Sequence, residues 1–144
     1  NLTPIGKVFH AGTLAGNPLA TAAGLAALNE LTQDVYMELG ARARALSTLL
    51  RDACLSAGIV AQFPVVGTLV GAFFGPNTPT NFDEAKQTDE KMYARFFHAM
   101  LAEGVALAPG AYEALFVGLG HTDSVMQQLA ERAQRAAHAA VLAQ

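Results

Sequence analysis

The sequence holds one cysteine, three lysines and no cluster of positive charge in 144 residues. A lone cysteine, Cys54, excludes an internal disulfide framework and a cysteine-built zinc site. On the inner half of a helix it reads as a small buried hydrophobe. Lys7, Lys86 and Lys91 stand in a loop and in a charged stretch, and none has the apolar setting that would activate an amine for covalent catalysis. Nine Lys and Arg against twelve Asp and Glu give a net charge of −3 and leave no electrostatic footprint for nucleic acid. Long apolar runs are missing too. Residues 8–29 are nearly uncharged, but His10, several glycines and a proline interrupt them, so they do not read as a bilayer span. No secretory pattern is visible, and the chain opens Asn1-Leu2 without a methionine, which reads as a piece of something longer.

What is present is enough for a packed core. The chain is 52% hydrophobic and 15% charged, outside the profile of a disordered polymer. Asn17 is a good N-cap and Pro18 a favoured first helical residue, which predicts a helix over about 18–31. Its many alanines and central Gly24 point to close packing against another backbone. After a break at Thr32-Gln33-Asp34, Asp34 is the expected cap of a helix over about 35–57. There Val35, Leu39, Ala43, Leu46, Leu50, Ala53 and Ala57 keep the helical period, Arg42, Arg44 and Arg51 face outward, and Gly58 ends it. Residues 59–67 and 68–75 are β-branched and aromatic and predict two strands divided at Gly67. A polar excursion over 76–90 follows. The helix over about 89–103 carries an apolar stripe of Tyr93, Phe96, Phe97, Met100 and Leu101 and stops at Gly104. Two more strands are expected at 105–108 and 114–120, then a helix capped by Thr122 or Asp123 and running to about 142. The order ααββαββα predicts an α+β fold, with a small mixed or antiparallel sheet of about four strands and helices on one face.

Few residues could carry chemistry. In the opening loop, AGTLAGNPLATAAG at 11–24, glycines permit close approach of backbone to a ligand and Thr13 adds a hydroxyl, a pattern suited to an anion such as phosphate. The competing reading is a tight turn before a helix and nothing more. His98 and His138 read as structural or exposed, since no second ligand stands at metal spacing. His10 and His121 could line a site, with a role beside the helix cap the simpler reading of His121. Asp83 and Glu84 sit in a solvated stretch, a poor setting for paired carboxylates. Glu113, between a Pro-Gly turn and an apolar strand, is the one acid placed to point into a cleft, against the plainer reading of an exposed loop acid.

Two blocks carry a resemblance. VFHAGTLAGNPLATAAGLAAL, residues 8–28, is similar to the segment that follows the catalytic lysine in fold type I pyridoxal-phosphate enzymes of the class III aminotransferase group. DEAKQTDEKMYARFFHAMLAEGVALAPGAYEALFVGLGHTD, residues 83–123, resembles a later stretch of the same group, most closely in its aminomutase branch. The resemblance implies a cofactor, pyridoxal 5'-phosphate or pyridoxamine 5'-phosphate, and a cytoplasmic homodimer acting on a small molecule, with neither nucleic acid nor membrane as partner. It implies that Gly12 and Thr13 reach across a subunit interface to the phosphate of the neighbouring subunit's cofactor, and that Glu113 lies on the substrate side.

The same resemblance makes residues 1–32 the end of the large cofactor-binding domain, with its phosphate loop and connecting helix, and 33–144 the C-terminal small domain. The Schiff-base lysine of the group lies upstream of Asn1, so this chain alone is expected to be inactive. His10 stands where glutamine is usual, and Ala15 and Gly110 where serine is usual, departures that bear on substrate positioning. Two alternatives stay open: a class III aminotransferase or racemase with another substrate, and a free-standing, non-catalytic α+β ligand-binding domain.

Overall fold

The computed structural model describes residues 2–9 and 11–143. It divides into two units, Asn1–Val35 and Tyr36–Gln144.

The first unit is a loop leading into helix α1, Pro18–Glu30. The Asn17 side chain accepts hydrogen bonds from the Leu19 and Ala20 N–H groups at 3.0 and 3.2 Å, satisfying two of the donors that a helix start leaves open. Pro18 occupies the first turn, where its missing N–H costs nothing. No residue of α1 is buried, Leu19, Leu25 and Leu28 are exposed, and a β-carbon at Gly24 would meet open space. The close backbone packing expected of this helix is therefore not made within the described chain.

The second unit carries the core. Helix α2, Gln33–Ser56, crosses the boundary between the units and buries Ala43, Leu46, Leu50, Ala53 and Cys54 along one stripe. It begins two residues before the expected start, because Thr32 and not Asp34 is the cap: the Thr32 hydroxyl accepts from the Val35 N–H at 3.3 Å. Gly58 ends it as expected. With φ at 74°, that glycine lets the Ile59 N–H return to the Cys54 carbonyl at 2.9 Å and the Gly58 N–H to the Leu55 carbonyl at 3.0 Å. Cys54 is buried as the sequence suggests, and burial pushes its thiol up to about 12. The expected result is that Cys54 resists a thiol reagent at pH 8 in the folded protein and reacts stoichiometrically in denaturant. Rapid labelling under native conditions would contradict the burial.

The β region differs from the two strands expected. It folds as a bent hairpin whose arms change partners midway: β1, Ala61–Gln62, pairs with β4, Phe73–Phe74, while β2, Val65–Val66, pairs with β3, Leu69–Val70, all antiparallel. Pro64 interrupts one arm because it has no N–H to give the ladder. Its carbonyl accepts from the Gly71 N–H at 2.9 Å, and a β-carbon at Gly71 would lie 2.7 Å from the Phe73 ring and 3.2 Å from Pro64. The two interruptions face each other, so both arms turn together. The hairpin closes through Gly67-Thr68, with Gly67 at φ 60°, a two-residue turn matched to strand twist. A fifth strand, β5 at Leu115–Phe116, adds to β3 and completes a three-stranded sheet in the order β2-β3-β5.

The excursion holds a short helix, α3 at Phe82–Ala85, that its polarity concealed. Asn81 caps it, accepting from the Glu84 N–H at 3.0 Å, and the Glu84 carboxylate reaches back to the Thr80 N–H and hydroxyl at 2.8 and 2.9 Å. Those bonds, led by the Thr80 N–H, hold the Glu84 carboxyl below its usual range.

Helix α4, Glu90–Ala102, presents Tyr93, Phe96 and Met100 to the core, while Leu101, the last residue of the expected stripe, is half exposed. Gly104 ends it at φ 78°, with the Val105 N–H bonded to the Met100 carbonyl at 2.9 Å. The strand expected at 105–108 does not form. The helix end takes the Val105 N–H, and the Tyr93 hydroxyl donates to the Ala108 carbonyl, so this extended stretch docks on α4 in place of a sheet edge. Helix α5, Asp123–Leu142, is capped by Thr122 and packs its alanine stripe, Ala133, Ala136, Ala137 and Ala140, against the core. From α5, the Arg132 guanidinium donates to the Glu103 carbonyl at 2.6 Å, and Arg135 pairs with the Glu103 carboxylate at 2.9 Å. The α+β class therefore holds, with five two-residue strands in two antiparallel sheets among the described residues, where one sheet of about four strands was expected. No helix among the described residues is long and apolar enough to cross a membrane.

Candidate functional site

Gly12 and Thr13 lie in the first unit and Glu113 in the second, so the two parts of the expected site are built separately. The loop before α1 is a pair of successive turns. The Ala15 N–H bonds the Gly12 carbonyl at 3.0 Å, and the Asn17 N–H bonds the Leu14 carbonyl at 3.0 Å. Of the two glycines around Thr13, only Gly16 is demanded by its own backbone, at φ 76°. Gly12 has no such need: a β-carbon there would make ordinary contact with Ala15 at 3.7 Å. Nothing inside the loop therefore explains why residue 12 lacks a side chain. Both Gly12 and Thr13 are exposed, and the first turn of α1 holds no acidic residue that would repel an anion. His10 lies outside the described residues.

Glu113 sits at the end of the turn 109–113, which is tied down at three points. The Tyr93 hydroxyl reaches the Ala108 carbonyl from below, and the Tyr112 hydroxyl donates to the Glu90 carboxylate at the start of α4. The Tyr112 ring also meets Phe82 of α3 edge-on at 5.5 Å. At the third point, the Glu113 carboxylate turns back on its own turn, with Oε1 accepting the Gly110 N–H at 3.0 Å. The side chain is exposed, and the carboxylate folds onto backbone instead of projecting into a cleft. Tyr93 is perturbed upward, first by burial and second by the negative charge of Glu113. Tyr112 is also raised, chiefly because its hydroxyl is committed to Glu90. Both hydroxyls pair with groups 15 and 22 residues away in the chain, beyond what local periodicity shows.

Arg42 is a correction. The helical period placed it outward with Arg44 and Arg51, yet its guanidinium reaches the loop before α5, donating to the Leu119 and His121 carbonyls at 2.6 and 2.7 Å and more distantly to Gly118 at 3.4 Å. Glu38, one helical turn earlier, pairs with it at 2.5 Å. His121 has the modest role its position suggested: its Nδ1 accepts from the Gly118 N–H at 2.9 Å, closing the turn before the Thr122 cap. His98 and His138 are exposed. Among the described residues, no three His, Cys, Asp or Glu side chains gather to hold a metal ion.

The lysines bear on what the chain could do with a carbonyl cofactor. Lys86 pairs with Asp83 at 2.8 Å and lies 5.3 Å over the Phe82 ring, while Lys7 and Lys91 are exposed.

The relatives agree with the blocks that carried the resemblance. A glutamate-1-semialdehyde 2,1-aminomutase from Bordetella avium is 39% identical over 137 residues, covering 94% of this chain and 32% of the relative. One from Desulfosudis oleivorans is 44% identical over 124 residues, covering 85% of this chain and 29% of the relative. The chain thus spans about a third of the length of the curated relatives it matches. Among solved structures, a β-phenylalanine aminotransferase from Variovorax paradoxus superposes with a TM-score of 0.73 at 25% identity, over 92% of this chain and 31% of that one. A transaminase solved with pyridoxal phosphate bound gives a TM-score of 0.72 at 18% identity, over 94% of this chain and 30% of that one. No family model matches the chain. The similarity to aminomutases extends over 85–94% of this chain, and the fold shared with aminotransferases over 92–94%.

Proposed function

We propose that this chain, related over most of its length to glutamate-1-semialdehyde 2,1-aminomutases, is the C-terminal portion of such an enzyme, which isomerises glutamate-1-semialdehyde to 5-aminolevulinate for tetrapyrrole biosynthesis. The observation that carries the reading is identity of 44% across 85% of the chain to one aminomutase, together with a fold shared with aminotransferases. Residues 1–32 are then the end of the large cofactor-binding domain, and 33–144 the small domain. The enzyme is a cytoplasmic homodimer. The apolar residues that α1 leaves exposed fit this reading, because the remainder of a subunit or its partner would cover them.

The residues present fit the phosphate end of pyridoxal phosphate and not its ring. Gly12 lacks a side chain that its own turn would tolerate, which suits close approach of a phosphate to the backbone. Thr13 offers a hydroxyl donor beside it, and no acid stands in the first turn of α1. In a homodimer this loop holds the phosphate of the neighbouring subunit's cofactor. By the resemblance, the lysine that carries the cofactor lies upstream of Asn1, and Lys7, Lys86 and Lys91 are exposed here. When bound, the cofactor supplies the electron sink for moving the amino group. This chain's part is to hold the phosphate with Gly12 and Thr13 and to offer the Glu113 carboxylate to the substrate's amine.

Two experiments test this. Replacing Thr13 by valine in the full-length protein removes a hydroxyl at nearly constant shape, and is expected to weaken cofactor binding roughly tenfold, the worth of one hydrogen bond to a charged group. Equilibrium dialysis with absorbance of the bound cofactor reads it, and an unchanged affinity would remove Thr13 from the phosphate site. The activity is tested by complementation: the full-length gene should restore growth without added 5-aminolevulinate to a bacterium lacking its own aminomutase. Expression without growth would favour a class III aminotransferase of different substrate.

A further inference from the structure

We infer that Gly110 is a positioning residue for Glu113: the missing side chain at 110 lets the Glu113 carboxylate fold onto its own turn and so fixes where that negative charge is presented. The statement about presentation to substrate rests on the reading of Glu113 given above. The geometry is specific. If residue 110 carried a β-carbon, that atom would lie 2.5 Å from Glu113 Oε1 and 3.3 Å from both Cγ and Cδ. All three nearest neighbours belong to Glu113, so the space a side chain would fill is the space the glutamate uses. Gly110 is not among the residues with positive φ, so its φ does not itself call for glycine. Glycine at 110 serves the carboxylate and not the turn.

The turn has other anchors. Tyr93 holds the Ala108 carbonyl and Tyr112 holds Glu90, and neither bond involves Glu113. The backbone bond from the Glu113 N–H to the Gly110 carbonyl at 3.1 Å is also independent of the side chain. A methyl group at 110 thus evicts the far end of a flexible side chain and leaves the turn standing. In the folded-back position Oε1 is occupied by the Gly110 N–H, while Oε2 takes no hydrogen bond among the described residues. That second oxygen is free to accept from a cationic group, such as the ammonium of an amino-acid-like substrate.

The test uses the full-length holoenzyme and the variants G110A, E113Q and the double variant. A crystal structure of G110A should show Glu113 Oε1 out of hydrogen-bond reach of the residue 110 N–H, with the 108–113 backbone and the thermal midpoint unchanged. KM for glutamate-1-semialdehyde should rise roughly tenfold in G110A, the loss of one charge-assisted hydrogen bond, with kcat much less affected. The double variant should be no worse than E113Q alone, because the glycine acts through the glutamate. A carboxylate still seated on the residue 110 N–H in G110A would overturn the inference, as would effects of the two substitutions that multiply. If E113Q leaves KM unchanged, the substrate-side reading of Glu113 fails, while a displaced carboxylate in G110A still upholds the positioning role of Gly110.

Discussion

Truncating Phe74 to alanine is expected to lower the unfolding free energy by about 3–5 kcal/mol, the usual range for deleting a buried aromatic ring. The ring is 2% exposed and sits where sheet and helices meet. It makes edge contacts with Phe63 at 6.3 Å and Tyr93 at 5.8 Å, and a tilted contact with Phe96 at 5.5 Å. Its backbone matters as well, since the Asp89 N–H that leads into α4 bonds the Phe74 carbonyl at 2.7 Å. Strand and helix are thereby fixed around the ring, and the cavity left by alanine cannot close by simple collapse. Phe74→Leu should cost about 1–2 kcal/mol, since it retains much of the volume. Urea unfolding of both variants at unchanged m-value reads the difference. A cost below about 1 kcal/mol for the alanine variant would show that the site relaxes, contrary to the packing described.

Replacing Arg42 by alanine is expected to cost about 2–3 kcal/mol. One guanidinium nitrogen serves the carbonyls of Leu119 and His121, with Gly118 at the limit of reach, in a partly buried setting. Without it those carbonyls lose their donor, at Gly118 and His121 in a part-buried setting. The neighbouring ion pair is a useful control: Glu38→Ala removes an exposed helical pair and should cost no more than about 0.5 kcal/mol. Hydrogen exchange distinguishes the two. Arg42→Ala should speed exchange at Gly118, His121 and the first turn of α5 before it affects α4. Equal effects of the two substitutions would mean that the arginine serves Glu38 and not the loop.

Helix ends were the legible part of this fold, because their causes are local. Asn17, Gly58, Gly104 and Thr122 cap or stop helices within a residue or two of where their chemistry places them. Thr32 displaced Asp34 as a cap for the same reason, a hydroxyl one turn from an open N–H. The sheet was less legible. Pro64 and Gly71 stand opposite each other across the hairpin and split both arms, which no periodicity within either arm can show. Residues 105–108 have strand-like composition, but Tyr93 and the helix end claim their polar groups first. Arg42 illustrates the same limit, since a charge at an outward-looking position found carbonyls far away in sequence.

The site was read from resemblance more than from physics. The residues alone mark an anion-suited loop at Gly12 and Thr13 and single out Glu113 as a lone acid near an apolar strand. That Glu113 folds back over Gly110 is not legible there, because a glycine at 110 looks like an ordinary turn residue until the space beside it is seen to be filled. The pairing of Tyr112 with Glu90 and Phe82 was likewise invisible, as it joins the turn to a short helix hidden in a polar stretch.

The most direct test of the aminomutase assignment is turnover by the full-length protein with nothing to exchange amino groups with. The purified holoenzyme would be incubated with glutamate-1-semialdehyde alone, with no amino donor or acceptor, and 5-aminolevulinate measured. Stoichiometric conversion of substrate to 5-aminolevulinate is the predicted result. Protein that retains the absorbance of its cofactor yet forms product only when an external amine donor is supplied would contradict it.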